Sequence, residues 1–396
     1  MARRFILLGG LVVALAASGA AEASWRMGGT GNGYSKAATM PGSSAPTHTI
    51  ATWPNVALSW TAGTVGGAPV SFLVRRYAEG GTTAQAIGAA CSGTVATNAC
   101  TENGVPVGRW QYTTQATKGS WIGAESVKSS TVEIAAAPTS LTCPLCHTYG
   151  TTTYINAANA TNVQLKATFA ATSLATDAAN LSLTDSANHT VSTSSAAPAG
   201  AGTVSFPSLS TSTLTDGTVT AGAHVTANTG DLSPTTSLGL VRDTVSPSAA
   251  NVLGANGSGS TAKKVDNGDT LTYTFSEPVD PGTIASGWTG SSKSVSATLS
   301  SSGSSTTVAV ANTNLGTVNT QANYVVLTVT CSSSTMAMSG SVVTVTLGGC
   351  GGALALLLAS TNVTPSKFVW TPTTTVTDLA GNPMSATAVT GSTGGF

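Results

Sequence analysis

Short apolar alternations run through the whole chain, and patterns that form helices are nearly absent. Val56, Leu58 and Trp60 alternate in one segment, Val163, Leu165, Ala167 and Phe169 in another, and Leu271, Tyr273 and Phe275 in a third. A period of two puts such residues on one face of a strand and their Ser and Thr neighbours on the other. Few Glu, Lys or Leu recur at the 3.6 spacing of a helix, and the abundant Thr and Val are stiff at χ1, which favours strands. Runs this short, divided by Gly, Pro, Asn and Asp, predict an all-β chain of two-sheet sandwiches.

Charged residues make up only 8% of the chain, against roughly 25% in an average soluble protein. Hydroxyl groups must therefore keep this surface wet. Disordered chains combine low hydrophobicity with high net charge, whereas 41% of this chain is hydrophobic, enough for several cores. At roughly 100 to 150 residues per domain, the length implies three domains.

The N-terminus has the order of an export signal: basic Met1–Arg4, an uncharged apolar run from Phe5 to Ala17, then the small residues Ser18–Ser24 around Ala21-Glu22-Ala23. The apolar run is shorter than the roughly 20 residues of a spanning helix, so cleavage after Ala23 is expected, leaving no transmembrane segment. Losing Arg3, Arg4 and Glu22 from 15 basic and 15 acidic residues leaves a net charge of about −1. The longest basic runs are the pairs Arg75-Arg76 and Lys263-Lys264. Nucleic acid, which needs clustered cations against many phosphates, is not an expected partner.

Two Pro-bearing breaks, Ala135–Ser140 and Arg242–Pro247, suit stiff linkers, and residues 24–45, rich in Gly, Ser and Ala, read as a flexible leader. The resulting division is a signal at 1–23, the leader, a first domain at 46–137, a linker at 138–149, a second domain at 150–247 and a third at 248–396.

Within that frame, Val56–Trp60, Val70–Tyr77, Trp110–Ala116 and Gly123–Ser126 resemble a fibronectin type III domain, which implies that the Trp and Tyr residues fill an inter-sheet core. Tyr154–Asn159, Leu214–Val219 and Asp243–Pro247 resemble the bacterial Ig-like repeats of secreted adhesins. Gly268–Val279 and Asp378–Asn382 resemble the SbsA-type Ig-like domain of bacterial surface proteins, although a Ser/Thr/Gly-rich middle at about 290–350 makes this unit long. Together these likenesses imply tandem immunoglobulin-like and fibronectin type III β-sandwiches, spanning on the order of 100 Å in series. They also imply a secreted or cell-surface structural or adhesive protein whose partner is an extracellular protein or polysaccharide. The alternative is a carbohydrate-binding accessory protein of a polysaccharide-processing system.

Six cysteines in an exported chain are expected to be oxidised. Proximity pairs Cys91 with Cys100, Cys143 with Cys146 and Cys331 with Cys350, one of 15 possible sets. Loops of the first and third sizes contribute about 2.5 and about 3 kcal/mol through unfolded-state entropy. The string Cys143-Pro-Leu-Cys146-His147 matches the C-x-x-C-H attachment of c-type haem. Its flanks are a Pro-bearing linker and a Thr-rich strand rather than a helical pocket with a second axial ligand, so a local disulfide is the expectation.

No G-x-S-x-G, H-E-x-x-H or G-x-x-x-x-G-K-[ST] string occurs, and no catalytic residues are assigned. His48, His189 and His224 lack the partners of a zinc site and read as surface polar residues. Gly257-Ser-Gly259 imitates a dinucleotide loop but precedes no helix, and reads as a turn. Asp216, Asp231, Asp243, Asp266, Asp269 and Asp378 fall in turns or near the junctions. They satisfy backbone donors there or chelate calcium between modules. Trp121 and Trp288, flanked by glycines, pack in the core or stack on sugar rings. The apolar string Ala353–Ala359 is too short to span a bilayer and reads as a buried strand or turn.

Overall fold

The computed structural model describes residues 38–169, 177–198, 201–350 and 363–396, and the backbone of the strand pair Ser24–Trp25 and Ser35–Lys36. The signal at 1–23 and the string Ala353–Ala359 lie outside these residues. The architecture is almost entirely β, its strands paired in several sheets. The chain divides into two compact units: residues 1–136 with 171–177 and 226–234, and residues 137–170, 178–225 and 235–396.

In the first unit a three-stranded sheet runs Ala99–Glu102, Asn55–Ser59, Thr47–Thr52, and a second sheet is built on Gly108–Lys118 paired with Ser71–Ala78. Val56, Leu58, Phe72, Val74, Tyr112 and Ala116 alternate inward from the two sheets into one core. Trp60 meets Phe72 edge-to-face at 5.5 Å, a geometry that brings a ring's positive edge to its neighbour's negative face. Cys91 and Cys100 are joined.

This core also holds a buried ion pair. Arg76 Nη1 lies 2.6 Å from Glu102 Oε1, Tyr112 Oη donates to Glu102 Oε2 at 2.7 Å, and the Gly88 N–H donates to Oε1 at 2.9 Å. Arg76 also donates to the Ala86 carbonyl at 2.6 Å and lies over the Trp110 ring. The carboxylate thus has three donors, the condition under which a buried charge is tolerated.

Residues 40–44, expected to be a flexible leader, are fixed to this sandwich. Met40 packs against the core. The register of Gly108–Lys118 slips between Gln115 and Thr117, and the Ala116 N–H left there donates to Ser43 Oγ at 2.9 Å. Ser44 accepts the Thr61 N–H on its hydroxyl and the Thr114 hydroxyl on its carbonyl. Composition alone reads such a stretch as loose; the bulge supplies the backbone donor that fixes it.

In the second unit the segment expected to be the linker 138–149 is strand. Pro138–Thr142 pairs with Lys166–Phe169, and His147–Tyr149 pairs with Thr152–Asn156. Pro138 is compatible because it opens its strand, where a missing donor costs no interior ladder bond. Thr152–Asn156 then runs parallel to Thr236–Asp243, which pairs antiparallel with Gly217–Thr226; the sheet continues through Ala178–Asp185 to Thr190–Ala196.

Among the described residues of the same unit, nine strands form one sheet whose first strand is Ala249–Ala255 and last Val389–Gly394. These two strands also approach each other: a Cβ on Gly391 would fall 1.9 Å from the Val252 carbonyl, so only glycine fits there. Trp370 is fully buried at the centre, edge-on to Tyr273 and Phe275 at 5.1 Å each, with Nε1 donating to the Leu315 carbonyl. Cys331 is bonded to Cys350.

Two substitutions test the buried pair. Glu102→Ala strands a buried guanidinium and should cost about 3–5 kcal/mol in denaturant unfolding. The double change Arg76→Met with Glu102→Leu removes both charges and should cost far less; equal losses would show that the pair's charge is not what matters.

Candidate functional site

Three carboxylates in the second unit converge. Asp243 ends the strand Thr236–Asp243, Glu277 follows the strand Thr270–Phe275, and Asp378 bridges to Val279. Their ligand oxygens all lie within 4.8 Å of one another.

The Asp378 turn is built around Asn382. Its N–H and Nδ2 each donate to one Asp378 carboxylate oxygen at 2.8 Å. Nδ2 also reaches the carbonyls of Asp243 and Val245, and Oδ1 accepts the Ala157 N–H. Gly381 completes the turn at φ +85°, and a Cβ there would sit 3.1 Å from the His147 ring. One amide side chain therefore fixes the spacing between Asp378 and the end of the Asp243 strand.

The charge at this cluster is unbalanced. Burial first, then Asp243, Asp378 and Asp216, push the Glu277 carboxyl up to about 7, and its Oε1 is buried without a hydrogen-bond partner. Burial likewise raises Asp243, followed by Asp378 and Asp216, against a lowering hydrogen bond from the Val245 N–H. Among the described residues, none of the three is ion-paired. Asp216 is close, but its Oδ1 takes Arg242 at 2.5 Å. A cluster of hard oxygens with excess negative charge holds either a proton or a cation.

Of the six aspartates singled out in the sequence, only Asp243 and Asp378 meet here. Asp266 and Asp269 act as turn ligands: Asp269 accepts the N–H groups of Gly257 and Asp266, and Asp266 accepts that of Thr261. The turn they hold, with Gly259 at φ +84°, is the Gly257–Gly259 segment that imitates a dinucleotide loop. Asp231 accepts the Thr229 hydroxyl. Glu277 escaped the sequence reading because it sits inside Ser276-Glu-Pro278, which reads as a strand end.

Trp288, read as packing in the core or stacking on sugar, does the first: it is 5% exposed in the third core with Nε1 donating to Ser291 O at 2.5 Å. The preceding turn Pro281–Ile284, capped by Asp280, folds it inward. Trp121, on the edge strand Trp121–Glu125, is 51% exposed. Cys143 and Cys146 are bonded to each other, so haem attachment there requires that bond to be reduced first. His189 is not a simple surface residue, since Nδ1 lies 2.9 Å from Asp185 Oδ2. Asp185 is held well below the usual carboxylate range, foremost by the Thr215 N–H, despite an opposing contribution from burial.

No family model matches the chain, and no curated protein does. Similar solved structures include a tetra-tandem repeat in the extending region of a large adhesion protein, at 15% identity over 83% of this chain and 81% of that chain, with a TM-score of 0.26. The chicken CNTN1 FN1–FN3 domains are 9% identical over 77% of this chain and 98% of theirs, with a TM-score of 0.23. At these scores neither bears on function, which is read from the residues alone. Among the described residues no helix is long and apolar enough to cross a membrane.

The raised Glu277 carboxyl sets a sign. Its folded form binds a proton at pH values where the unfolded carboxyl has lost it, so without added metal stability falls as pH climbs from the ordinary carboxylate range through about 7. Glu277→Gln should flatten that slope and stabilise the chain at pH 8 by something on the order of 1 kcal/mol after solvent screening. An unchanged pH profile of melting in the variant would refute the assignment.

Proposed function

We propose that this chain works outside the cell as a non-enzymatic structural or adhesive protein, and that Asp243, Glu277 and Asp378 hold a calcium ion that stiffens its second unit. The observation that carries the calcium reading is the convergence of three carboxylates within 4.8 Å, one with a buried oxygen lacking a donor. Calcium–oxygen bonds run about 2.3–2.6 Å, so two opposed ligands stand about 5 Å apart, which fits this spacing. Magnesium is smaller and keeps its waters, so it suits the site less well.

The extracellular reading draws on the export signal together with three disulfides, Cys91–Cys100, Cys143–Cys146 and Cys331–Cys350, since such bonds persist in oxidising compartments. Sandwiches in tandem supply reach and loop surface for attachment. With Trp288 inside its core, the polysaccharide alternative keeps Trp121 as its one exposed tryptophan of the two.

Calorimetry at pH 8 tests the ion. For affinities typical of extracellular modules, 10 mM calcium should add about 1.4–2.7 kcal/mol, reversed by a chelator. The gain should shrink at pH 6, where protons compete for Glu277, and vanish in Glu277→Gln. A melting temperature indifferent to calcium sinks the site. Fractionation of the source cells tests the location: the polypeptide belongs in the medium or surface fraction, and retention in the cytoplasm rejects the extracellular role.

A further inference from the structure

Glu133 is the middle residue of the strand Val132–Ile134. Its neighbours Val132 and Ile134 point into the first core at 0% exposure. Alternation should turn Glu133 outward to water, yet it is 1% exposed and neither carboxylate oxygen has a hydrogen-bond partner.

The side chain is covered by residues distant in sequence that belong to the same compact unit, Asp177 and the turn 226–234. The Glu133 N–H donates to Asp231 Oδ2 at 3.3 Å, the Asn228 N–H donates to Asp177 Oδ1 at 3.4 Å, and the Ala227 N–H closes the turn onto the Asp231 carbonyl at 2.8 Å. Glu133 therefore has the Asp177 carboxylate beside it and that of Asp231 nearby. Among the described residues the one cation paired with Glu133 is Arg109, opposite it in the strand register. Arg109 Nε is 3.8 Å from Glu133 Oε2 but 3.0 Å from Glu79 Oε2, so its charge is shared with a competitor. Burial lowers the pKa of His48, and Asp231 opposes that shift.

With its carboxylate ionised, Glu133 has two buried oxygens that can only accept, and neither meets a donor. We propose that Glu133 is protonated and donates a hydrogen bond to Asp177, and that this bond latches the turn 226–234 and residue 177 onto the strand Val132–Ile134. The latch is closed in mild acid and opens as the proton leaves. Burial first, then Asp177, and more weakly Asp231, push Glu133 up to about 7 against the lowering pull of Arg109, so the change falls in the range where extracellular fluids vary. The sign is that of a raised carboxyl: protonation favours the closed form, and stability of the contact is lost as pH rises through about 7.

Hydrogen exchange of the full chain, read by mass spectrometry at pH 5.5 and pH 8 and corrected for intrinsic rates, tests the latch. Amides of 226–234 and 132–134 should exchange about tenfold faster at pH 8 in the wild type. Glu133→Gln, whose amide donates to Asp177 at every pH, should remove the difference, and Asp177→Asn should do the same from the other side. Equal wild-type protection at both pH values, or a pH response that survives in Glu133→Gln and Asp177→Asn, overturns the proposal. If Glu133→Gln does not fold, Asp177→Asn alone decides.

Discussion

Burying one face of most strands while the other face carries almost no charge is the condition from which this structure follows. Ser and Thr meet it because a hydroxyl both donates and accepts, and costs less to desolvate than an ion. The result is visible where ladders break. Ser43, Ser126 and Ser129 each take a backbone N–H of the strand Gly108–Lys118 that lacks a carbonyl partner. In the third core, buried Thr306 accepts the N–H groups of Tyr324 and Val325, while Thr320 bonds both the N–H and the carbonyl of Thr306. Hydroxyls thus act inside the sandwiches as patches for irregular backbone, as well as outside as a hydrated coat.

Against so neutral a background, each ionisable group has a distinct part. Glu102 is satisfied by Arg76, Tyr112 and a backbone donor, and Asp185 gathers the N–H groups of Ala187, His189 and Thr215. Glu277 and Glu133 differ in kind, since both are raised toward neutrality by burial and by other carboxylates. Such groups store free energy that a bound cation or proton releases, which is why perturbed carboxyls mark places where a fold responds to its surroundings.

Much of the fold was legible because alternation is local. Val56, Leu58 and Trp60, the run Val163–Phe169 and the trio Leu271, Tyr273 and Phe275 all lie buried where period two puts them. What escaped depends on distant partners. Residues 40–44 read as loose because nothing nearby reveals the bulge at Ala116 that Ser43 fills. Pro138–Thr142 and His147–Tyr149 read as linker because Pro and the paired cysteines resemble punctuation, whereas their ladders come from 166–169 and 152–156. The carboxylate cluster was half visible: Asp243 and Asp378 stood out as turn residues, but Glu277 joins them only through the pairing of Asp378 with Val279. The glycines flanking Trp288 left core packing and sugar stacking both open, and a single helical turn decides between them by folding the ring inside.

The parallel pairing of Thr152–Asn156 with Thr236–Asp243 has a mechanical meaning. Tyr154, Ile155 and Asn156 stand beside Val241, Arg242 and Asp243, and the two strands point the same way. Tension drawing them past each other strains every rung of that ladder together, so they must be torn simultaneously rather than peeled in succession. A chain that must carry a pull along its length gains resistance from such an arrangement without adding a single contact.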